Sequence, residues 1–163
     1  MNTEFQLGDI IYWNKVDILP DNMSKTQSTK NVSQIYLFCR KNEFKNYKTN
    51  KTIKSYRENG QANYTSIPNI INAKTKDKGV KIFGNKVFST ELVKELLYKY
   101  VKKRGIVFDP FCGTGSTCLA TLGKYIYYIG SEVDKKLYEY SLIRILKRKQ
   151  EIKKEYYKNY KRK

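Results

Sequence analysis

The feature that most constrains the fold is Asp109-Pro110-Phe111-Cys112-Gly113-Thr114-Gly115-Ser116-Thr117, a loop with glycines in alternate positions. It follows Ile106-Val107-Phe108, an apolar run too short for a helix, which reads as a buried strand. It leads into Ser116 to Leu122, which reads as a short helix ended by Gly123. The two glycines permit a tight turn and let a ligand come close to the backbone. The start of a helix presents unpaired N–H groups to a carboxylate or phosphate. Tyr125 to Val133 reads as a second strand, and Asp134 caps a last helix with Leu137, Ser141, Ile145 and Ile152 along its inner face. Strand, glycine loop, helix, strand, helix is half of a doubly wound α/β sheet.

Glu132 ends the second strand, about 23 residues beyond Asp109. An acidic side chain there accepts hydrogen bonds from both hydroxyls of a ribose. The spacing predicts an adenosine-containing ligand at the C-terminal ends of two adjacent strands. The dinucleotide fingerprint needs a third glycine, which Leu119 and Ala120 do not supply. A phosphate-binding loop needs Gly-Lys-Ser/Thr, also missing. A different Rossmann-like enzyme with an acidic ribose clamp is the alternative.

Upstream, Asp9-Ile10-Ile11-Tyr12-Trp13 and Gln34-Ile35-Tyr36-Leu37-Phe38-Cys39 read as strands. The polar stretch between them contains Pro20. Residues 41 to about 81 have weak apolar periodicity and recurring lysines, and Gly60, Pro68 and Gly79 punctuate them. They read as a loop or adaptable insert, not as core. From Ser89 the spacing of Leu92, Val93, Leu96, Leu97 and Tyr100 is helical, with Ser89 or Thr90 as the cap and Gly105 as the stop after Lys102-Lys103-Arg104.

The chain carries 33 Lys and Arg against 15 Asp and Glu, a net charge of +18. That balance favours a polyanionic partner, and nucleic acid is the commonest. Richness in Lys, Asn, Tyr and Ile is also what an AT-rich genome encodes. Lys45, Lys48, Lys51, Lys54 and Arg57 interleave with Phe44, Tyr47, Tyr56 and Tyr64, a pattern that grips phosphates and stacks on bases. A solvated linker is the bland alternative. The tail from Lys147 to Lys163 is heavily basic and open to the same two readings. There is no histidine and no CxxC among the three cysteines, which excludes a zinc finger. No apolar stretch suits a signal peptide or a membrane span, so no membrane partner is expected, and cytoplasm is the expected location.

The string DPFCGTGST resembles the cofactor motif of the amino-group DNA methyltransferases, the N6-adenine and N4-cytosine enzymes that use S-adenosylmethionine. Tyr128-Ile129-Gly130-Ser131-Glu132-Val133-Asp134 resembles that family's next strand. Ser141, Arg144 and Ile145 fall where its following helix has a small residue and an Arg-apolar pair. Phe88-Ser89-Thr90-Glu91-Leu92-Val93 resembles the segment before the cofactor strand. Gly84, Asn85 and Ser89 stand where the family has a His-Pro and a later proline. Gly8 to Lys15 and Ile35 to Arg40 resemble a pair of the family's late strands, with Val32-Ser33 in place of a His-Glu.

The resemblance implies a Rossmann-like S-adenosylmethionine-dependent methyltransferase fold, a parallel sheet with an antiparallel strand pair, incomplete at the N-terminus. It implies a cofactor site of Asp109, Pro110, Phe111, Cys112, Gly113, Thr114, Gly115, Ser116, Thr117, Glu132 and Val133. Ser116 and Thr117 would meet the methionine carboxylate, Glu132 the ribose and Val133 the adenine. Cys112 is expected as a small buried residue, because amino-group methylation needs no thiolate. The implied division is 1–40, late strands of the catalytic half; 41–82, a basic insert or recognition loop; 83–146, the cofactor-binding half; and 147–163, a basic helical tail.

The family's catalytic motif is a polar residue followed by Pro-Pro-aromatic, whose acceptors polarise the target amino group and whose ring stacks on the flipped base. Pro20, Pro68 and Pro110 are the chain's prolines, and no two are adjacent. The motif order matches the permuted arrangement, which places the catalytic motif before Met1. A truncated product, one subunit of a split enzyme, or a fragment of a longer chain all fit. Double-stranded DNA and a second polypeptide carrying the catalytic motif are the expected partners. The competing functions are an inactive nucleic-acid-binding remnant and an RNA or protein methyltransferase with the same loop.

Overall fold

The computed structural model describes residues 4–19, 25–26, 28–80 and 87–161. Pro20, Gly84, Asn85, Arg162 and Lys163, all drawn on above, lie outside the described residues. The chain divides into two compact units, one of Met1–Thr75 with Tyr98–Tyr100, the other of Lys76–Leu97 with Val101–Lys163.

The first unit is built on a three-stranded sheet. Strand β1, Phe5–Lys15, lies between β2, Val32–Arg40, and β5, Ile70–Ala73; β3, Ile53–Tyr56, and β4, Ala62–Tyr64, form a separate antiparallel pair. β1 runs antiparallel to β2 from Phe5↔Arg40 to Asn14↔Val32 and parallel to β5 from Tyr12↔Ile70 to Lys15↔Ala73. The β1–β2 register shifts between Leu7 and Asp9. Gly8 sits in that shift, and a Cβ there would lie 2.8 Å from the Tyr47 ring. Ile11, Trp13, Ile71 and Ala73 are buried, and the Trp13 indole donates to the Ala73 carbonyl at 2.9 Å.

β5 corrects the loop reading of residues 41 to about 81. Its alternation of exposed Ile70 and Asn72 with buried Ile71 and Ala73 is that of a half-buried strand. Four residues after Pro68 are too few for periodicity to register, and the strand exists because β1 supplies its ladder. Tyr47 also departs from expectation. It packs on Gly8 and lies 6.4 Å from the Tyr100 ring, as part of the unit's interior and not as a free stacking surface. The Tyr100 hydroxyl donates to Asp9 at 2.6 Å, and burial followed by that bond pushes its pKa well above the ordinary phenol value.

In the second unit, β6, Ile106–Asp109, pairs parallel with β7, Tyr127–Gly130, from Ile106↔Tyr127 to Asp109↔Gly130. Helix α2, Ser116–Thr121, connects them, and α3, Lys135–Tyr160, follows. Cys118, Leu119 and Ile145 form a buried cluster with Cys112, Leu122 and Tyr128 against it. Helix α1, Thr90–Tyr100, starts on Ser89, whose hydroxyl accepts from Leu92 N at 3.2 Å; α3 starts on Asp134, which accepts from Lys136 N and Leu137 N.

Two expectations change here. β6 is a strand, but not a buried one. α2 and α3 cover one face of the pair, and Ile106, Phe108, Tyr127 and Ile129 on the other are 58–68% exposed. The helical run also ends at Tyr100, before the lysines, and the left-handed residue that turns the chain is Arg104 (φ 65°), not Gly105. Gly105 is needed for space, since a Cβ there would meet the Lys102 carbonyl at 2.9 Å.

The core role of β5 sets a simple contrast. Ile71→Ala should cost about 2–5 kcal/mol in urea unfolding, the usual range for a buried isoleucine. Ile70→Ala, one residue away on the open face, should cost within about 0.5 kcal/mol. Equal costs would return the segment to a loop.

Candidate functional site

The parallel pairing of β6 and β7 carries two carboxylates to the same end of the sheet. Asp109 is the last residue of β6, and Glu132 lies just past the end of β7. The loop after Asp109 is tied down from several sides. Phe111 N donates to the Asp109 carboxylate at 3.1 Å, Cys112 N to the Ser131 carbonyl at 2.9 Å, and Gly115 N to the Cys112 carbonyl at 2.7 Å. Ser131 returns two bonds, from its N to the Asp109 carbonyl and from its hydroxyl to the Pro110 carbonyl.

Both loop glycines have positive φ, 50° at Gly113 and 80° at Gly115. Gly115 has a second constraint. A Cβ there would sit 3.0 Å from Cβ of Ser141 on α3, so glycine and a small partner together set how closely the loop approaches that helix.

The loop frames a cleft of about 460 Å³ lined by Val87, Phe88, Asp109, Phe111, Cys112, Gly113, Thr114, Ser116, Thr117 and Leu137. Its size is in the range of small-molecule sites. Of the residues implied by the sequence, Pro110, Gly115, Glu132 and Val133 do not line it. Gly115 is buried on the side of the loop that meets α3, and Val133 is 99% exposed. Glu132 borders the loop instead. One carboxylate oxygen accepts from Gly113 N at 2.7 Å and the other from Asp134 N at 2.9 Å. Each oxygen has two acceptor sites, so each retains one for a ligand hydroxyl. Val87 and Leu137 are cleft residues that the site assignment from sequence omitted. Phe88 was visible only as part of a flanking segment.

Ser116 adds a further sign of a ligand. It is 6% exposed, it lines the cleft, and its hydroxyl is buried without a hydrogen-bond partner among the described residues. A buried unpaired hydroxyl is costly, and an acceptor placed in the cleft would relieve the cost. The loop therefore offers a polar ligand one unpartnered hydroxyl and the remaining acceptor sites of one carboxylate. No helix among the described residues is long and apolar enough to cross a membrane, and no group of side chains among them would hold a metal ion.

Cys112 and Cys118 both pack against Gly130, where a Cβ would lie 3.2 Å and 3.0 Å from their sulfurs. Burial, then the nearby Asp109 and Glu132 charges, raise the Cys112 pKa. Burial chiefly, with Cys112 and Asp109, pushes Cys118 up to about 11. Both shifts favour the protonated thiol over the reactive thiolate.

The basic residues singled out for nucleic acid are all exposed. Lys45 lies in a short 3-10 helix at Lys41–Asn46, Lys48 and Lys51 follow it, Lys54 is in β3, and Arg57 is in the turn toward β4. None has an ion-pair partner among the described residues. Tyr56 and Tyr64 stand exposed on the same hairpin. On α3, Arg148 pairs along the helix with Glu151 at 3.2 Å and Glu155 at 3.3 Å.

The sequence profile of the DNA methylase family matches residues 1–143. The Type II methyltransferase M.HinfI of Haemophilus influenzae is 31% identical over 143 residues, which are 83% of this chain and 38% of that protein. Among solved structures, the M1.HpyAVI–SAM complex superposes with a TM-score of 0.63 at 19% identity, over 87% of this chain and 63% of that one. The cytosine-N4-specific PvuII DNA methyltransferase gives 0.64 at 19%, over 86% and 51%. At these identities the solved structures speak for the fold. The chain spans between about two fifths and just under two thirds of the length of these relatives.

Cys118 is buried and Cys112 only half-buried, and the Cys118 thiol gives a pH-dependent test. Iodoacetamide labelling of Cys118 in the folded protein should rise with a midpoint near about 11, because its folded-state pKa is raised and the reactive thiolate forms only there. A midpoint at the ordinary thiol value would show that the site is open.

Proposed function

The chain belongs to the DNA methylase family, and from that premise we propose that it is the cofactor-binding half of an amino-group DNA methyltransferase. The reaction proposed is transfer of a methyl group from S-adenosylmethionine to N6 of adenine or N4 of cytosine in double-stranded DNA. The observation that carries the reading is the cleft at the ends of β6 and β7, lined in part by Ser116, whose buried hydroxyl has no hydrogen-bond partner among the described residues, with free acceptor sites on Glu132 beside the loop.

In this reading Glu132 takes both ribose hydroxyls on its remaining acceptor sites, and the Ser116 hydroxyl donates to the methionine carboxylate. Asp109 keeps the loop in shape by holding Phe111 N. Gly113 leaves the backbone bare where a ligand comes closest. Phe88, Phe111 and Leu137 supply apolar walls. When bound, the cofactor supplies an electrophilic methyl group on a positively charged sulfur. The location proposed is the cytoplasm.

The hydrogen-bond acceptors for the target amino group are assigned to a Pro-Pro-aromatic segment outside residues 1–163, carried either by a longer form of this chain or by a second polypeptide. Parallel sheets are ordinarily covered on both faces. The open face of Ile106, Phe108, Tyr127 and Ile129 supports a further segment, of this protein or of a partner, packed on that face. The exposed Lys45, Lys48, Lys51, Lys54 and Arg57, with the basic end of α3, support DNA as the substrate.

Calorimetry with S-adenosylmethionine tests the cofactor reading. The chain should bind, and Glu132→Ala should weaken binding roughly tenfold or more, as expected for loss of hydrogen bonds to a charged acceptor. No heat from the folded wild-type chain would leave the inactive nucleic-acid-binding remnant as the better account. DNA affinity should fall steeply with salt, and Lys51→Ala with Lys54→Ala should each lower the slope of log K against log salt by about 1. Unchanged slopes would remove the hairpin from the interface.

A further inference from the structure

We propose that the ion pair of Arg144 and Asp77 is a positioning latch that sets the width of the cofactor cleft without touching the ligand. The proposal rests on the cofactor reading above and deepens it.

Arg144 projects from α3, and its side chain is 14% exposed. Nη1 donates to the Thr114 carbonyl at 2.8 Å and to the Thr114 hydroxyl at 3.0 Å. Nη2 donates to the Asp77 carboxylate. That carboxylate is 22% exposed and also takes both donors of Thr90: the backbone N at 2.8 Å and the hydroxyl. Thr114 lies in the loop that forms one wall of the cleft. Thr90 is the first residue of α1, and Phe88 and Val87, just before it, form part of another wall. Two walls of one cleft therefore hang from a single ion pair.

A partly buried ion pair is weak ground for a stability role, because desolvation offsets much of the attraction. Geometry is the better explanation here. A planar guanidinium directs donors along fixed lines to acceptors on two different segments at once. An ammonium keeps the charge but cannot reproduce that fork. Asp77 is suited to its end of the arrangement because a carboxylate accepts several donors together.

The test compares Arg144→Lys, Asp77→Asn and Arg144→Met in the full chain, with Glu132→Ala as the control for cofactor binding. Arg144→Lys should weaken S-adenosylmethionine binding roughly tenfold, the worth of about one charge-assisted hydrogen bond, with little change in melting temperature. Arg144→Met should weaken it further and also lower the melting temperature, because Asp77 is left without its cation. In the ligand-free chain, Asp77→Asn should move the Thr114 amide resonance, and Arg144→Lys should move that of Phe88. Wild-type affinity in Arg144→Lys, or affinities that only follow melting temperature, would overturn the latch. So would resonance changes confined to the mutated residue's own segment, whether or not the chain binds the cofactor. Failure of the wild-type chain to bind, with the two resonances still coupled, would instead remove the cofactor reading and leave the link between the walls in place.

Discussion

Gly115 has room for a hydrogen and little else. Its φ of 80° places it where side chains are rare, and Ser141 of α3 stands 3.0 Å from where its Cβ would be. That approach lets α3 lie against the loop, and Arg144, one turn beyond Ser141, then reaches Thr114. It also seats Ile145 in the cluster with Cys118 and Leu119. The core of the second unit and the shape of its cleft thus share one close contact. A larger residue at 115 or 141 would separate loop from helix and disturb both.

The parallel ladder supplies the other half of the arrangement. Register between β6 and β7 pairs Asp109 with Gly130, which sets Glu132 beside the loop it closes. Glu132 then bridges Gly113 N and Asp134 N, so the acidic group is oriented before any ligand arrives. Preorganisation of this kind lowers the ordering cost of binding. The same ladder sets Gly130 against Cys112 of the loop and Cys118 of α2, and burial there raises the pKa of both thiols.

The parts legible in the sequence are those held by local chemistry. The glycine loop, the Ser89 and Asp134 caps, the inner face of α3 and the β1–β2 pair all declare themselves within short windows. The illegible parts depend on partners far along the chain. β5 is four residues of unremarkable composition that become core only beside β1. The open face of β6 follows from which helices cover it, which no local pattern states. Tyr47 sits in a lysine-rich stretch that suggests a surface, yet it packs on Gly8. Asp77, also among lysines, has its cation 67 residues away and gives no sign of it in sequence. The reading of Glu132 as a ribose clamp follows from its spacing after Asp109 and from the resemblance of Tyr128 to Asp134 to the family's strand. The structure adds that its carboxylate is already half engaged by the loop.

The ends of β6 and β7 are proposed as a site for S-adenosylmethionine. The most direct measurement is an amide resonance titration of the chain with that ligand. Saturable shifts should concentrate at Asp109 to Thr117 and at Glu132 to Asp134, with the exposed residues of the β3–β4 hairpin unmoved. Absence of shifts, or shifts centred on the basic hairpin, would contradict it.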